Sequence, residues 1–433
     1  MTSETLPWDV RMRILFVAVD FAVPARTGLQ KQTLMLLRYL LKHGQECTLL
    51  AFQRPGISVD PQRLKEELPL LKAANLFSWR HSDAVEMLLA FLRVMARPQR
   101  LPARPNGQAS FQSALIKALR EPGVDLVHLE GIALAPYLHL VAGELPTVFS
   151  IIDSISLRQQ RLAVEAPLLT HKIYRRCAAW VALGLERALL PRATKVQVVS
   201  EAERSYLQSM APGADLQCIG LAVPDRELVP DAAQDGQSYG QHLFFSSALD
   251  GYLGRGLLWF LTEVYPKVAA RFPDLQMTVI GAGRPAPALS HALKRPGITV
   301  ISWLNVDDYN AELKKAKVAV APDPCGTGMK TRVLTAMALA RPVVGTPAAF
   351  EGLALEKGVG GFCCESADDF ATAISSLLAD SQLRARIGEA GHQFVLERHA
   401  LSVIGKQWLD LYDRAIQKFT AAQAESVACS TGV

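Results

Sequence analysis

The sequence predicts an α/β protein of two doubly wound domains, and three observations predict it. Apolar runs of strand length alternate with helical stretches from Ile14 to Ser200. The alternation breaks at a polar, glycine-containing stretch, Pro230–Gln241, and restarts at His242 with the same rhythm. A chain of 433 residues is also too long for one ordinary core. Parallel sheets of this kind take ligands at the carboxyl ends of their strands, so a cleft lined by strand ends is expected between the two domains.

The elements follow in order. Ile14–Val19 is a buried strand by composition, and the turn Pro24–Gly28 leads into a helix from about Leu29 to Lys42. His43 and Gly44 stop that helix, and Cys47–Phe52 is the second strand. Val124–Leu129, Thr147–Ile152 and Lys195–Val199 are further strands. After the last of them Ser200 is placed to cap a helix, with Glu203 as its capping-box partner. In the second half His242–Ser246, Gln276–Ile280, Ile298–Ser302, Val318–Ala321 and Pro342–Gly345 read as strands. Leu257–Arg271 reads as a helix, and Ala367 to about Phe419 is helical almost throughout.

Composition removes several classes of function. Half the residues are hydrophobic and a fifth are charged, which is globular. No apolar run reaches the length of about 20 residues that a membrane span needs. The first residues lack the apolar core of an export signal, so a cytoplasmic chain is expected. The seven cysteines show no C-x-x-C spacing, and Cys363 and Cys364 are adjacent, which suits reduced thiols better than disulfides or zinc. The net charge of +5 is uneven: residues 1–220 hold 26 Lys and Arg against 19 Asp and Glu, and the remainder 20 against 22. A basic first half is as consistent with an ordinary solvated face as with anionic lipid headgroups.

Five stretches carry chemistry. Gly326-Thr327-Gly328-Met329-Lys330 follows the strand Val318–Ala321 and precedes a helix, the arrangement in which backbone N–H groups and a helix N-terminus meet a phosphate; Lys330 or Arg332 adds charge. The glycine spacing excludes a Walker A loop. Gly281-Ala282-Gly283, with Ala286, completes a GxGxxA pattern after a strand. Pro285 and Pro287 and the lack of a following acidic residue speak against nicotinamide binding, leaving a loop that lines the cleft. Val127-His128-Leu129-Glu130-Gly131 ends a strand where an active site belongs, so Glu130 is a candidate to orient an acceptor hydroxyl or act as a base. His128 is either a second donor or an inert core histidine. Gly28, after Pro24, sits at a helix N-terminus, and Asp153 ends a strand as a site residue or a cap. Leu168–Arg192 mixes Trp180, Tyr174 and four arginines with aliphatics, as a helix lying at a membrane interface does and as helices of soluble proteins also do.

Together these pieces resemble a retaining glycosyltransferase of family 4, of the bacterial exopolysaccharide type, with the GT-B fold. The resemblance runs from about Arg13 to Tyr412. GTGMKTRVLTAMALARPVVGTPAAFEGLAL is similar to the family's G-x-G-x-K-x-[KR]-V-L-E-A-M-A segment, and DLVH, VVSEAE and PDLQMTVIGAG follow family patterns in the family's order. The resemblance implies a nucleotide-diphosphate sugar held by the second domain and a glycan or lipid-linked acceptor on the first. It implies diphosphate contacts from Gly28, Arg255, Gly326, Gly328 and Lys330, and a nucleobase against Trp303 and Leu304. The chain departs from the family at the E-x7-E pair, where Thr327 and Thr335 stand in place of both glutamates. A neutral hydroxyl does not accept two ribose hydroxyls as a carboxylate does.

The resulting expectation is a metal-independent glycosyltransferase with no cofactor beyond its donor, in polysaccharide biosynthesis. Glu130, His128, Lys330 and Arg255 are its catalytic candidates. Gly28, Gly281, Gly283, Trp303, Leu304, Gly326, Thr327, Gly328 and Thr335 are its donor-binding candidates. The alternative is a non-catalytic GT-B subunit of a polysaccharide assembly. The acceptor domain is expected over 11–229, a linker over 230–241 and the nucleotide-sugar domain over 242–395. A C-terminal helix over 396–420 is expected to pack back on the N-terminal domain, followed by a disordered tail over 421–433. No nucleic-acid partner is expected; peripheral contact with the inner face of a membrane is, through the basic first domain.

Overall fold

The computed structural model describes residues 11–54, 59–78, 108–228, 240–356 and 358–431. The chain divides into two compact units. The first takes Met1–Gln160, Ile173–Gly220 and Ile404–Val433; the second takes Arg161–Lys172 and Leu221–Val403.

The first unit holds a seven-stranded sheet in which every pairing is parallel. Its strands are β1 (Arg13–Ala18), β2 (Glu46–Gln53), β3 (Ala73–Ser78), β4 (Leu126–Glu130), β5 (Thr147–Ser150), β6 (Lys195–Val198) and β7 (Leu216–Cys218). The order β3-β2-β1-β4-β5-β6-β7 reverses direction between β1 and β4. Ala18 and Glu130 are register partners there, so the chain leaves both strands side by side. A crevice at such a reversal is where open α/β sheets bind ligands. One face of the sheet packs Leu15, Val17, Val127, Leu129 and Phe149 into a continuous apolar core.

The second unit repeats the plan with six parallel strands: β8 (His242–Ser246), β9 (Gln276–Ile280), β10 (Ile298–Ile301), β11 (Val318–Ala321), β12 (Val343–Gly345) and β13 (Gly361–Cys363). The order β10-β9-β8-β11-β12-β13 puts its reversal between β8 and β11. Leu243, Phe245, Val279, Val318 and Val320 pack its core with Phe260 and Phe370.

Both sheets are therefore doubly wound, as the alternation of strands and helices predicts. Several elements differ in detail. The helix expected over Leu257–Arg271 starts at Gly251 and runs to Ala269, through a wider π-helical turn at Phe260–Val264. The expected linker lies outside the described residues over 230–239. The last helices are Ser381–Arg398 and Leu401–Thr431. Residues 421–431 of the expected disordered tail are thus helical. The reason is local: no Gly or Pro occurs between Gly405 and Gly432, and Thr420–Glu425 is mostly Ala and Gln with a Glu, all helix formers apart from its threonine. From Ile404 this helix belongs to the first unit. Gly405 lets it lie against the Tyr39 ring, where a Cβ would stand 2.3 Å from a ring carbon. Lys418 reaches Asp215 at 2.8 Å. Among the described residues, no helix is long and apolar enough to cross a membrane. The six described cysteines are free thiols.

Candidate functional site

In the second unit the candidate residues lie on the segments that follow the carboxyl ends of β8, β9, β10 and β11, Arg255 and Thr335 on helices and the others on loops. The loop from Pro322 to Lys330 is the centre of this set. Gly326 and Gly328 have φ of +154° and +65°, the second a left-handed value that glycine adopts without strain. Three successive carbonyl oxygens of this loop accept from cations. Gly326 O takes Arg161 Nη1 at 2.5 Å, and Thr327 O and Gly328 O take Lys330 Nζ at 2.9 and 2.8 Å. In a trans peptide the N–H of the next residue points opposite to the carbonyl. The amides of Thr327, Gly328 and Met329 are therefore turned away from the two cations. A run of amides facing one way at a helix start makes an anion-binding concavity. The helix Thr331–Ala338 follows directly, and no side chain caps its N-terminus.

This geometry revises the role of Lys330. The sequence reading puts its ammonium on the diphosphate, whereas here the buried side chain binds the loop's own carbonyls and fixes the loop from within. Arg161 holds the preceding carbonyl, Gly326 O, and is also paired with Glu351. Arg332 does not project as a free cation but is paired with Asp323, a buried carboxylate just past β11. Thr346 Oγ1 donates to Asp323 O at 2.6 Å, joining the ends of β11 and β12. Thr335 Oγ1 donates its one proton to Thr331 O, four residues back, at 2.9 Å. What it presents outward is lone pairs only, so this hydroxyl acts as an acceptor.

The remaining glycines have packing reasons. A Cβ on Gly281 would stand 2.1 Å from Ser247 O, and one on Gly283, at φ +108°, would stand 2.7 Å from Asp250 Oδ2. The pair lets the loop after β9 lie on the loop after β8. Arg255 is exposed on the helix Gly251–Trp259 and donates to Glu165 O at 3.2 Å. One residue on, Gly256 brings that helix onto the β11 loop: a Cβ there would stand 2.1 Å from Pro322 O. Gly256→Ala is expected to destabilise the second unit by about 1–3 kcal/mol through overpacking. Urea unfolding checks this, and an unchanged midpoint would show that helix and loop separate freely. Trp303, half exposed, and Leu304 follow β10 at the sheet edge.

In the first unit Glu130 sits at the sheet reversal, almost fully buried. Burial pushes its carboxyl up to about 8, with Asp20 adding to the rise and a hydrogen bond to Thr33 opposing it. Thr33 Oγ1 lies within bonding distance of Glu130 Oε2 and 3.0 Å from Leu29 O. A hydroxyl has one proton. Thr33 Oγ1 therefore donates either to Glu130 Oε2, which favours the ionised carboxyl, or to Leu29 O, which leaves a protonated Glu130 free to donate to Thr33. Asp20, Gln30 and Arg54 complete this cluster. Gln30 Nε2 donates to Asp20 Oδ1 at 2.7 Å, and Arg54 lies 2.6 Å from Oδ2. Gly28 opens the helix Gly28–Lys42, whose terminus is closed by a reciprocal capping box of Thr27 and Gln30. Sequence reading does not find Asp20, Gln30, Thr33 or Arg54; an acidic residue just past β1 at the reversal is the one signal that points there.

His128 is a correction. It alternates with Leu129 along β4 and lies wholly in the core. Its ring stacks on Phe16 at 4.2 Å, and its Nδ1 is 2.9 Å from Tyr412 Oη. Burial lowers its pKa to about 3, so the ring is neutral and has no path to a substrate. The candidate acid or base of this strand is Glu130 alone.

After β5 the chain passes through Ile152 at φ +34°, a strained value for a β-branched residue. Two buried glutamates hold the turn. Glu203 Oε1 accepts from Ser154 N at 2.9 Å, and Glu186 Oε1 from Ser154 Oγ and Ser156 N, both at 3.2 Å. Ser200 caps its helix as the sequence predicts, while the Glu203 carboxylate reaches across to this turn. Asp153, within the turn, is 3.8 Å from Arg158.

Comparison with known proteins agrees with the two-unit plan. Residues 27–219 match the family described as "Glycosyl transferase 4-like domain", and residues 240–380 match "Glycosyl transferases group 1". No curated protein matches the chain. Among solved structures, sucrose-phosphate synthase from Thermosynechococcus elongatus is similar at a TM-score of 0.69 and 15% identity, over 95% of this chain and 100% of that one. TarM of S. aureus, solved with Fondaparinux, alpha-GlcNAc-glycerol and UDP, is similar at 0.67 and 11%, over 93% and 99%. HepE of Anabaena, solved with UDP and glucose, is similar at 0.60 and 14%, over 93% and 100%. Likeness at such identities shows a shared fold.

Proposed function

We propose that this chain, which belongs to the GT-B glycosyltransferases, moves a sugar with retention from a nucleotide-diphosphate sugar to a glycan or lipid-linked acceptor in bacterial polysaccharide synthesis. The observation that carries the donor half is the Gly326–Lys330 loop, whose three carbonyls are drawn onto Arg161 and Lys330 so that the amides of Thr327, Gly328 and Met329 face the other way. Those amides and the start of the helix Thr331–Ala338 are the groups that would meet the diphosphate. In this reading charge building on the leaving diphosphate is met by preorganised N–H dipoles and by Arg255, with no metal or other cofactor required. Trp303 and Leu304 would flank the base. Thr335 would accept one ribose hydroxyl where the family's carboxylate accepts two, so donor affinity would be modest. The UDP complexes of HepE and TarM support a uridine nucleotide as the first to test. Glu130, protonated below about pH 8, would donate to an acceptor oxygen, and becomes a base only above that pH. A cytoplasmic location fits a donor of this kind.

Calorimetry with UDP, GDP and ADP tests the donor site, and no binding at millimolar concentration would sink it. Lys330→Ala is expected to weaken nucleotide binding by about 1–3 kcal/mol, because two loop carbonyls lose a charged donor and the amide run loses its orientation. An unchanged affinity would remove the loop from the site.

A further inference from the structure

The strongly exposed large apolar side chains are concentrated in one stretch of the sequence. Val164, Leu168, Leu169, Ile173, Tyr174 and Trp180 make up six of the ten among the described residues. Four of them lie on the helix Leu169–Leu189, which buries Ala179, Ala182, Glu186 and Leu189 on one face. At 3.6 residues per turn, Leu169, Ile173 and Trp180 fall on the opposite face. They are 72%, 55% and 59% exposed. Arg176 and Arg187 share this stripe and Lys172 flanks it, with Arg187 also donating to Met210 O at 2.9 Å; Arg175 is turned to the buried side, where it donates to Gln159 Oε1 at 2.8 Å. No acidic residue occurs from 166 to 185, and Glu186 is turned to the core, where Ser154 and Ser156 donate to it. The outward face therefore mixes apolar side chains with Arg176 and Arg187, and the helix places no carboxylate there to offset the charge.

We propose that this helix face docks in the headgroup layer of an anionic lipid bilayer. Leu169, Ile173 and Trp180 would enter the acyl boundary, and the arginines would meet lipid phosphates. Charge decides the occupant. A second copy would set two cationic faces against each other, whereas an anionic lipid surface supplies the missing negative charge. An indole and aliphatics beside long cationic side chains suit an interface, where the apolar groups sink and the cationic heads reach up to the phosphates. The helix is not apolar enough to cross. It lies on the surface.

The test is flotation of the full chain with phosphatidylcholine vesicles, with and without phosphatidylglycerol. The protein is expected to float with the anionic vesicles at low salt, to stay behind with phosphatidylcholine alone, and to be released by high salt. The Ile173→Ser, Trp180→Ser double variant is expected to lose about 10-fold in lipid partitioning while keeping the parent's circular-dichroism spectrum, since both side chains are more than half exposed. Arg176→Gln is expected to weaken binding and flatten its salt dependence. No flotation with anionic vesicles overturns the proposal, as does a double variant that floats like the parent. A dimer in sedimentation that the double variant splits would assign the face to a second copy instead. Nucleotide calorimetry on the same variant should match the parent, so that failure of lipid docking is distinguishable from failure of the donor reading.

Discussion

Arg332→Ala is expected to destabilise the second unit by about 3–5 kcal/mol, the cost of leaving a buried carboxylate without its cation. Asp323 is only 2% exposed, and the Arg332 guanidinium is its ion-pair partner. Arg332 stands in the first turn of the helix Thr331–Ala338, and Asp323 stands just past β11, so the pair closes the loop that carries Gly326 and Gly328. Thr346 ties the same residue to the end of β12. Loss of the cation should therefore loosen two strand ends and the amide run together. The reverse change, Asp323→Ala, is expected to cost less, because Arg332 is more exposed and can turn to water. Urea unfolding of both variants checks the order. The Asp323→Asn, Arg332→Met double variant, which removes both charges, should recover much of the loss. A cost under about 1 kcal/mol for Arg332→Ala would mean that the pair is effectively solvated.

The sequence makes the buried middle of each sheet legible and the edges much less so. β1, β4, β8 and β11 flank the two reversals and are largely buried; they read as mainly apolar runs, broken in β4 by His128. The strands that sequence reading misses are β3, β7 and β13, all of them at sheet edges. Ala73–Ser78 is only partly buried and carries no apolar run, and the other two are three residues long. The candidate site divides in the same way. The Gly326–Lys330 turn is contiguous in sequence, so its shape is readable. What orients it is not, because Arg161 meets Gly326 across 165 positions. His128 shows the limit from the other side: its strand end is legible, but Tyr412, which encloses it, lies 284 residues away. The same holds for Glu203, which sequence logic assigns to its own helix cap and which also holds Ser154, 49 positions earlier. Local signals give the backbone of the site. Long-range partners decide which side chains are free to act.

Glu130→Gln is expected to remove a pH dependence of stability worth about 3–5 kcal/mol between pH 4 and pH 9. Burial raises the Glu130 carboxyl from 4.5 to about 8 in the folded protein. Below pH 4.5 the folded and unfolded chains both hold the proton, and the contribution is fully present. As pH rises toward 8 the unfolded chain has released the proton while the folded chain keeps it. Stability then falls by about 1.4 kcal/mol per pH unit. Above 8 both states are ionised and the loss is complete. Gln copies the protonated carboxyl, since its amide, like a neutral carboxyl, can either accept from Thr33 Oγ1 or donate to it, yet it never ionises. The variant should match the parent near pH 5 and exceed it in stability at pH 9. Paired urea titrations at pH 5, 7 and 9 measure the difference. Parallel pH profiles would show that Glu130 is ionised throughout, and would return it to the role of a permanent base. If the profiles diverge as expected, Glu130 holds a proton at neutral pH beside Asp20, which shows that the first unit keeps a hydrogen-bond donor, not a second negative charge, at its sheet reversal.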